Sequence, residues 1–332
     1  MKRLLNVLLS VILIAMCVFS LTACGDGGGE SDGKKGLLIK KVGNVYNIYD
    51  YVDDGTLTDG ELNIASILEE KKIQSARIKK GTFDGVTNIK TLIVPDTVFE
   101  IEEGAFRNMS GLETLEVPFI GKNANADAYM HQTPSAVNKS IDRERTFAHF
   151  FGTEEYNGGT TLTDIFDEVY YVPTKLKTVK VNATNVKYGV EGLKEDAYAI
   201  PQEAFSGVIT LQNIILKGLT EIGEYAFKDC KGLTSITIPE TVKTIYKDAF
   251  NGCSSLASVN VLASNQINLY EGAFAGCTSI DKLATDSATT VNLGVFSQIG
   301  KNAFDFGNSK EYSVLNKGSF DLAFIFGQTK IK

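Results

Sequence analysis

The chain has 332 residues, 43% of them hydrophobic and 22% charged, with 31 Gly and 6 Pro, a globular composition long enough to bury a sizeable core. Trp is absent, and 19 Phe and 13 Tyr carry the aromatic bulk. The net charge is -7, or about -9 once Lys2 and Arg3 of a leader are set aside; this argues against nucleic acid and anionic lipid head groups, which draw Lys/Arg-rich surfaces.

Met1-Lys2-Arg3 is a short basic start, and Leu4 to Phe19 is apolar except for Asn6 and Ser10. Leu21-Thr22-Ala23-Cys24 follows, then a Gly-rich polar stretch. This order predicts a secretory signal peptide over residues 1–23. The other reading, an uncleaved membrane span, lacks a charged stop after the apolar run. The Leu-x-Ala-Cys ending resembles a bacterial lipobox, and the resemblance implies that Cys24 becomes a diacylglycerol-linked N-terminus. Two acyl chains give stable anchoring where one is marginal. No sorting motif ends the chain, so anchoring is expected to rest on Cys24. Residues 24–35 are too polar and glycine-rich to bury a core and read as a flexible tether, with a reach on the order of 18 Å.

Residues 36–72 read as an N-terminal cap, in which Val42 to Val52 alternates enough to form a strand pair with the segment after it. Asp50, Asp54, Gly55, Leu57 and Glu61 fit a calcium-loop template, but Val52 stands where a carboxylate or amide is needed; the bland reading is a solvated acidic turn.

From residue 73 to 304 the sequence repeats. Ala-Phe recurs at Phe106, Phe205, Phe227, Phe250, Phe274 and Phe304, and Phe83 follows Thr82; the steps from Phe83 to Phe106 and between neighbours from Phe205 to Phe274 are 22 to 24 residues. Five residues before each ring stands an aliphatic, such as Ile78, Ile101, Ile222 or Ile245. Six residues after it begins L-x-x-L-x-L, as in Leu112/Leu115/Val117, Leu233/Ile236/Ile238 and Leu256/Val259/Val261. Alternate strand residues share a face, so the last two aliphatics of each copy point inward together. One copy cannot cover its own apolar face, whereas stacked copies share a continuous core. The predicted fold is therefore a leucine-rich-repeat solenoid, a β-rich α/β repeat with a parallel strand stack of about seven to eight repeats of ~23 residues and one long insert. The Phe is expected opposite the main strand, and the aliphatic before it on a second short strand. Pro95 to Val117 and Ile238 to Val261 resemble the BspA-like class of leucine-rich repeats of bacterial surface proteins. For function the resemblance implies adhesion or recognition only in a general sense.

Between Leu112 and Leu176 the period breaks, and residues 118–173 hold an insert rich in aromatics with both histidines, His131 and His149. It is either a protrusion that binds or a pad over the edge of the stack. Tyr129, Phe150, Tyr156 and Tyr170 are its candidate contact residues. Thr174 to Val181 fits the main strand and the second strand equally well. Residues 305–332 read as a C-terminal cap, with Phe320 to Phe326 covering the last coil.

Cys230, Cys253 and Cys277 each follow a ring by three residues and should form one column about ~4.8 Å apart. Buried thiols are the plain reading; one disulfide or a three-thiolate metal site are the sharper ones. No nucleophile elbow, phosphate-binding glycine loop or zinc-protease motif is present, so neither an enzyme nor a cofactor is expected. The positive candidate is the outward strand face. One column reads Thr91, Thr114, Thr178, Asn213, Ser235, Ser258 and Lys282; its neighbour reads Ile93, Glu116, Lys180, Ile215, Thr237, Asn260 and Ala284. The first is nearly all hydroxyl or amide, able to donate and accept along an extended partner; the plain alternative is that Thr suits an exposed strand. The expected function is non-enzymatic binding of an extracellular protein or glycan at the cell surface, with a structural envelope lipoprotein or a solute-capture lipoprotein as the alternatives.

Overall fold

The computed structural model describes residues 35–124, 144–163, 167–184, 198–262, 267–316 and 318–332. The leader, Cys24, nearly all of the tether, Tyr129 and His131 lie outside them.

The L-x-x-L-x-L copies form one sheet of 11 strands, every neighbouring pair parallel. Strict alternation fixes its register: Leu92, Leu115, Val179, Ile214, Ile236, Val259 and Leu283 stand opposite one another and are buried. A slip of one residue would turn this aliphatic row to solvent. The ambiguous segment belongs here, as the strand Thr178–Asn182 between Thr114–Val117 and Asn213–Lys217. The sheet also begins earlier than the first full copy of the pattern, at Glu61–Asn63. Leu62 and Ile64 supply the inward pair there, but Asp59 stands where the leading aliphatic would be, which hides the copy.

The aliphatics five residues before each ring lie on short strands on the opposite side, including Val98–Ile101, Leu219–Ile222, Thr244–Ile245 and Ile267–Leu269. Between this strand and the next main strand the chain turns twice through the left-handed region around each Phe, as at Asp248 (φ 52°) and Gly252 (φ 76°) around Phe250. Gly, Asn and Asp tolerate that conformation best. These turns carry a ladder of their own. Phe205 N–H donates to the Ala226 carbonyl (2.7 Å), Phe227 to Ala249 (2.7 Å) and Phe250 to Ala273 (2.8 Å). The small Ala leaves room for the rings to stack. Phe205, Phe227, Phe250 and Phe274 sit 5.0, 5.1 and 5.0 Å apart with interplanar angles of 7°, 2° and 2°.

The insert completes this column. The 3₁₀ turn Phe147–Phe150 fills the gap between Phe106 and Phe205, with centroids 5.4 Å from Phe106 to Phe150 and 5.0 Å from Phe147 to Phe205. Its backbone joins the ladder at both ends: Phe106 N–H donates to the Phe150 carbonyl and Phe147 N–H to the Ala204 carbonyl, each at 2.8 Å. Phe150 and Tyr170 are therefore buried rather than offered at the surface, which corrects their place among the insert's contact residues. The described insert is a pad that closes the core.

Both ends are covered. An antiparallel hairpin, Gly36–Val42 with Val45–Val52, caps the start, and Tyr51 from it meets Phe83 at 5.9 Å. The strand expected near Val42 to Val52 thus pairs with the segment before it, as well as in parallel with Ala76–Ile78 after it. At the far end the short helix Leu322–Phe326 imitates another coil: Phe304 N–H donates to the Ile325 carbonyl (2.9 Å), and Phe326 lies 5.3 Å from Phe304. The aromatic column thus runs from Tyr51 to Phe326.

Candidate functional site

The seven outward positions of the first column are brought into one register: Thr91, Thr114, Thr178, Asn213, Ser235, Ser258 and Lys282 stand opposite one another in sequence. Glu61 extends the row at one end, and Thr290 and Ser313 at the other. Sequence reasoning missed these three because their strands lack a complete L-x-x-L-x-L; the spaced pairs Leu62/Ile64 and Val291/Leu293 are the trace they leave. Asn213 and Ser235 are exposed, and the other five of the seven are half-buried. In the neighbouring column the charges answer each other, with Lys180 Nζ 3.6 Å from Glu116 and Asn182 donating to the same carboxylate at 3.5 Å.

The face is not uniform. Strands Thr178–Asn182 and Asn213–Lys217 stay paired over five residues, and Ser235–Ile238 and Ser258–Val261 over four. Between them, Asn213–Lys217 and Ser235–Ile238 pair only at Asn213↔Ser235 and Ile214↔Ile236. The cause is a corner. After Lys217 the chain turns in the single residue Gly218 (φ 70°), whereas after Ile238 it takes Pro239 to Lys243 to reach the next strand. A Cβ on Gly218 would lie 2.5 Å from Thr184 N and 2.6 Å from the Ala183 carbonyl carbon, so the corner requires glycine. Where the strands part lies a depression of about 290 Å³, bordered by Thr178, Asn213, Ser235 and Thr237, with Ile215 beside it 43% exposed.

The remaining candidates resolve as structure. His149 is 4% exposed, within the 3₁₀ turn, and its Nε2–H donates to the Ile101 carbonyl at 3.1 Å. Burial pushes its pKa down to about 4, so the ring is neutral and enclosed, unlike a surface general base. Cys230, Cys253 and Cys277 are free and buried. Each S–H donates to the carbonyl of the ring residue one coil earlier: Phe205 (3.0 Å), Phe227 (3.0 Å) and Phe250 (3.1 Å). Burial raises the Cys230 and Cys277 thiols well above their ordinary range, which makes them poor nucleophiles. Tyr156 is half-buried, and burial likewise raises its phenol. In the acidic turn, Asp53 accepts from Gly55 N–H (3.0 Å) and Asp54 from Thr56 N–H (2.9 Å), so both carboxylates shape their own loop. The Thr56 hydroxyl is the main reason that the Asp54 carboxyl titrates low. Among the described residues no three His, Cys, Asp or Glu side chains are placed to hold a metal ion.

A family described as BspA type Leucine rich repeat region matches in six copies, over residues 61–136 and 198–320. Among solved structures, a leucine-rich repeat protein of T. pallidum is 16% identical, covering 81% of this chain and 85% of its own, with a TM-score of 0.33. A leucine-rich cell surface protein from Faecalibacterium prausnitzii is 18% identical, covering 85% and 75%, with a TM-score of 0.34. A leucine-rich repeat protein from Bacteroides ovatus is 17% identical, covering 77% and 86%, with a TM-score of 0.20. No curated protein matches. With six copies matched over more than half its length, the chain belongs to the BspA type leucine-rich repeat family.

Proposed function

We propose that this chain is a cell-surface recognition protein, held to the membrane by a lipid on Cys24, that binds an extracellular protein or glycan through its strand face and performs no catalysis. The observation that carries the reading is the in-register outward column from Thr91 to Lys282, neutral at six of its seven positions and uninterrupted across the sheet. Such a surface gains affinity from many weak contacts spread along a partner rather than from one deep pocket. Among the described residues the stack offers no hinged cleft of the kind a solute-capture protein closes on its cargo.

Changing Thr114, Ser235 and Ser258 together to Lys places three long charged side chains along this face, two of them on neighbouring strands, without touching the core. Capture of matrix proteins and glycans by the full chain is expected to be lost, while the far-ultraviolet spectrum and melting temperature stay near wild type. Undiminished capture by a folded variant removes this face from consideration. Anchoring has its own test. Cys24→Ser is expected to abolish incorporation of radiolabelled palmitate and to release the protein from membrane fractions; unchanged labelling rules out lipidation at Cys24.

A further inference from the structure

We propose that the depression where Asn213–Lys217 and Ser235–Ile238 separate is a subsite for one neutral sugar ring, taken as the terminal or branch residue of a glycan. The inference rests on the strand face being the recognition surface and names what one part of it takes.

Seven residues line the depression, and the four that are not isoleucine carry polar side chains: Thr178, Asn213, Ser235 and Thr237. Each carries a group that both donates and accepts, and none of them ionises. That is the inventory a run of sugar hydroxyls needs, because every hydroxyl is itself a donor and an acceptor. Some hydroxyls elsewhere in the coils are spent on the protein. Thr241 donates to the Leu219 carbonyl at 2.6 Å, Thr278 to the Ser254 carbonyl at 3.2 Å, and Thr290 to the Ala288 carbonyl at 3.0 Å. The four around the depression make no such side-chain bond to another described residue, so a ligand meets them with their capacity intact.

The rest of the surface narrows the class. Ile215 gives an aliphatic wall, suited to the C–H face of a pyranose. Lys180, the charge on the adjoining strand, is already answered by Glu116 at 3.6 Å, and none of the residues lining the depression carries a charge, which favours a neutral ring over a sialic acid, a uronic acid or a sulfate. The volume of about 290 Å³ stands at the small end of ligand sites, room for one ring and not for a chain. A peptide that binds by adding a strand needs a free sheet edge, and this depression lies in mid-sheet with paired strands on both sides.

The test uses the full chain on an array of glycans ending in galactose, glucose, mannose or N-acetylglucosamine, beside sialylated and sulfated counterparts. Saturation-transfer NMR with the free monosaccharides accompanies it. Expected are binding to neutral termini over acidic ones, saturation transfer at millimolar sugar, and loss of binding by at least tenfold in Asn213→Ala and in Ser235→Ala. Preference for acidic termini, or no transfer from any of the four sugars at tens of millimolar, overturns the subsite. So does Asn213→Ala abolishing capture of an enzymatically deglycosylated matrix protein, because a protein side chain then fills the depression. If sugars fail while a Thr114→Lys/Ser258→Lys variant still loses capture, the subsite falls and the recognition face stands. If that variant captures normally as well, both fall.

Discussion

Replacing Phe250 with Ala is expected to lower the unfolding free energy by about 3–5 kcal/mol, read as a fall in urea midpoint with an unchanged slope. The ring is fully buried between Phe227 at 5.1 Å and Phe274 at 5.0 Å, each nearly parallel to it. Removing it deletes apolar surface from the core and leaves a cavity that the stack cannot collapse, because the flanking coils are held at fixed spacing by the Phe250–Ala273 and Phe227–Ala249 backbone bonds. The same rings stacked at a surface would cost far less to lose, so a near-neutral result would contradict the assigned register.

The second large effect is on acid stability. His149 is neutral in the folded chain, with a pKa of about 4 against an ordinary value of 6.5. Its folded value is depressed, so the unfolded chain binds the proton more readily. The contribution is complete above pH 6.5 and is lost as pH falls toward 4, by about 3 kcal/mol across that window. Glu102, on the neighbouring coil, is bonded to Lys79 and titrates low despite the burial that opposes it, so carboxylates add to the decline. The histidine's share is isolated by difference. His149→Gln is expected to be less stable at neutral pH yet to lose less stability between pH 6.5 and 4 than wild type does. Parallel pH profiles would place His149 in solvent rather than in the core.

Much of this architecture was legible because it repeats. A ring every 22 to 24 residues from Phe83 to Phe106 and from Phe205 to Phe274, with an aliphatic five before it, fixes which side of each coil is dry, and the alternation of L-x-x-L-x-L fixes which strand residues face out. What stayed hidden is what departs from the period. Phe147, Phe150 and Phe151 lie in a cluster with no offset to the surrounding pattern. Counting aromatics there could not say that a 3₁₀ turn would feed two coils at once. Phe150 and Tyr170 read as contact residues for the same reason, since aromatic content alone carries no direction. The strand at Glu61–Asn63 was masked by a single Asp in place of an aliphatic. The depression was not legible at all. It depends on where two strands part, and that follows from a one-residue corner at Gly218 set beside a longer one at Pro239.

A continuous core, in which the insert supplies the missing rings, is tested most directly by a double-mutant cycle between Phe147 and Phe205. They are distant in sequence, and their centroids lie 5.0 Å apart. Changing each to Leu, singly and together, and measuring unfolding free energies in urea should reveal a coupling of about 0.5–1.5 kcal/mol, the worth of a packed aromatic pair. Additive effects, agreeing within about 0.3 kcal/mol, would mean that the rings do not touch and that the insert stands outside the core.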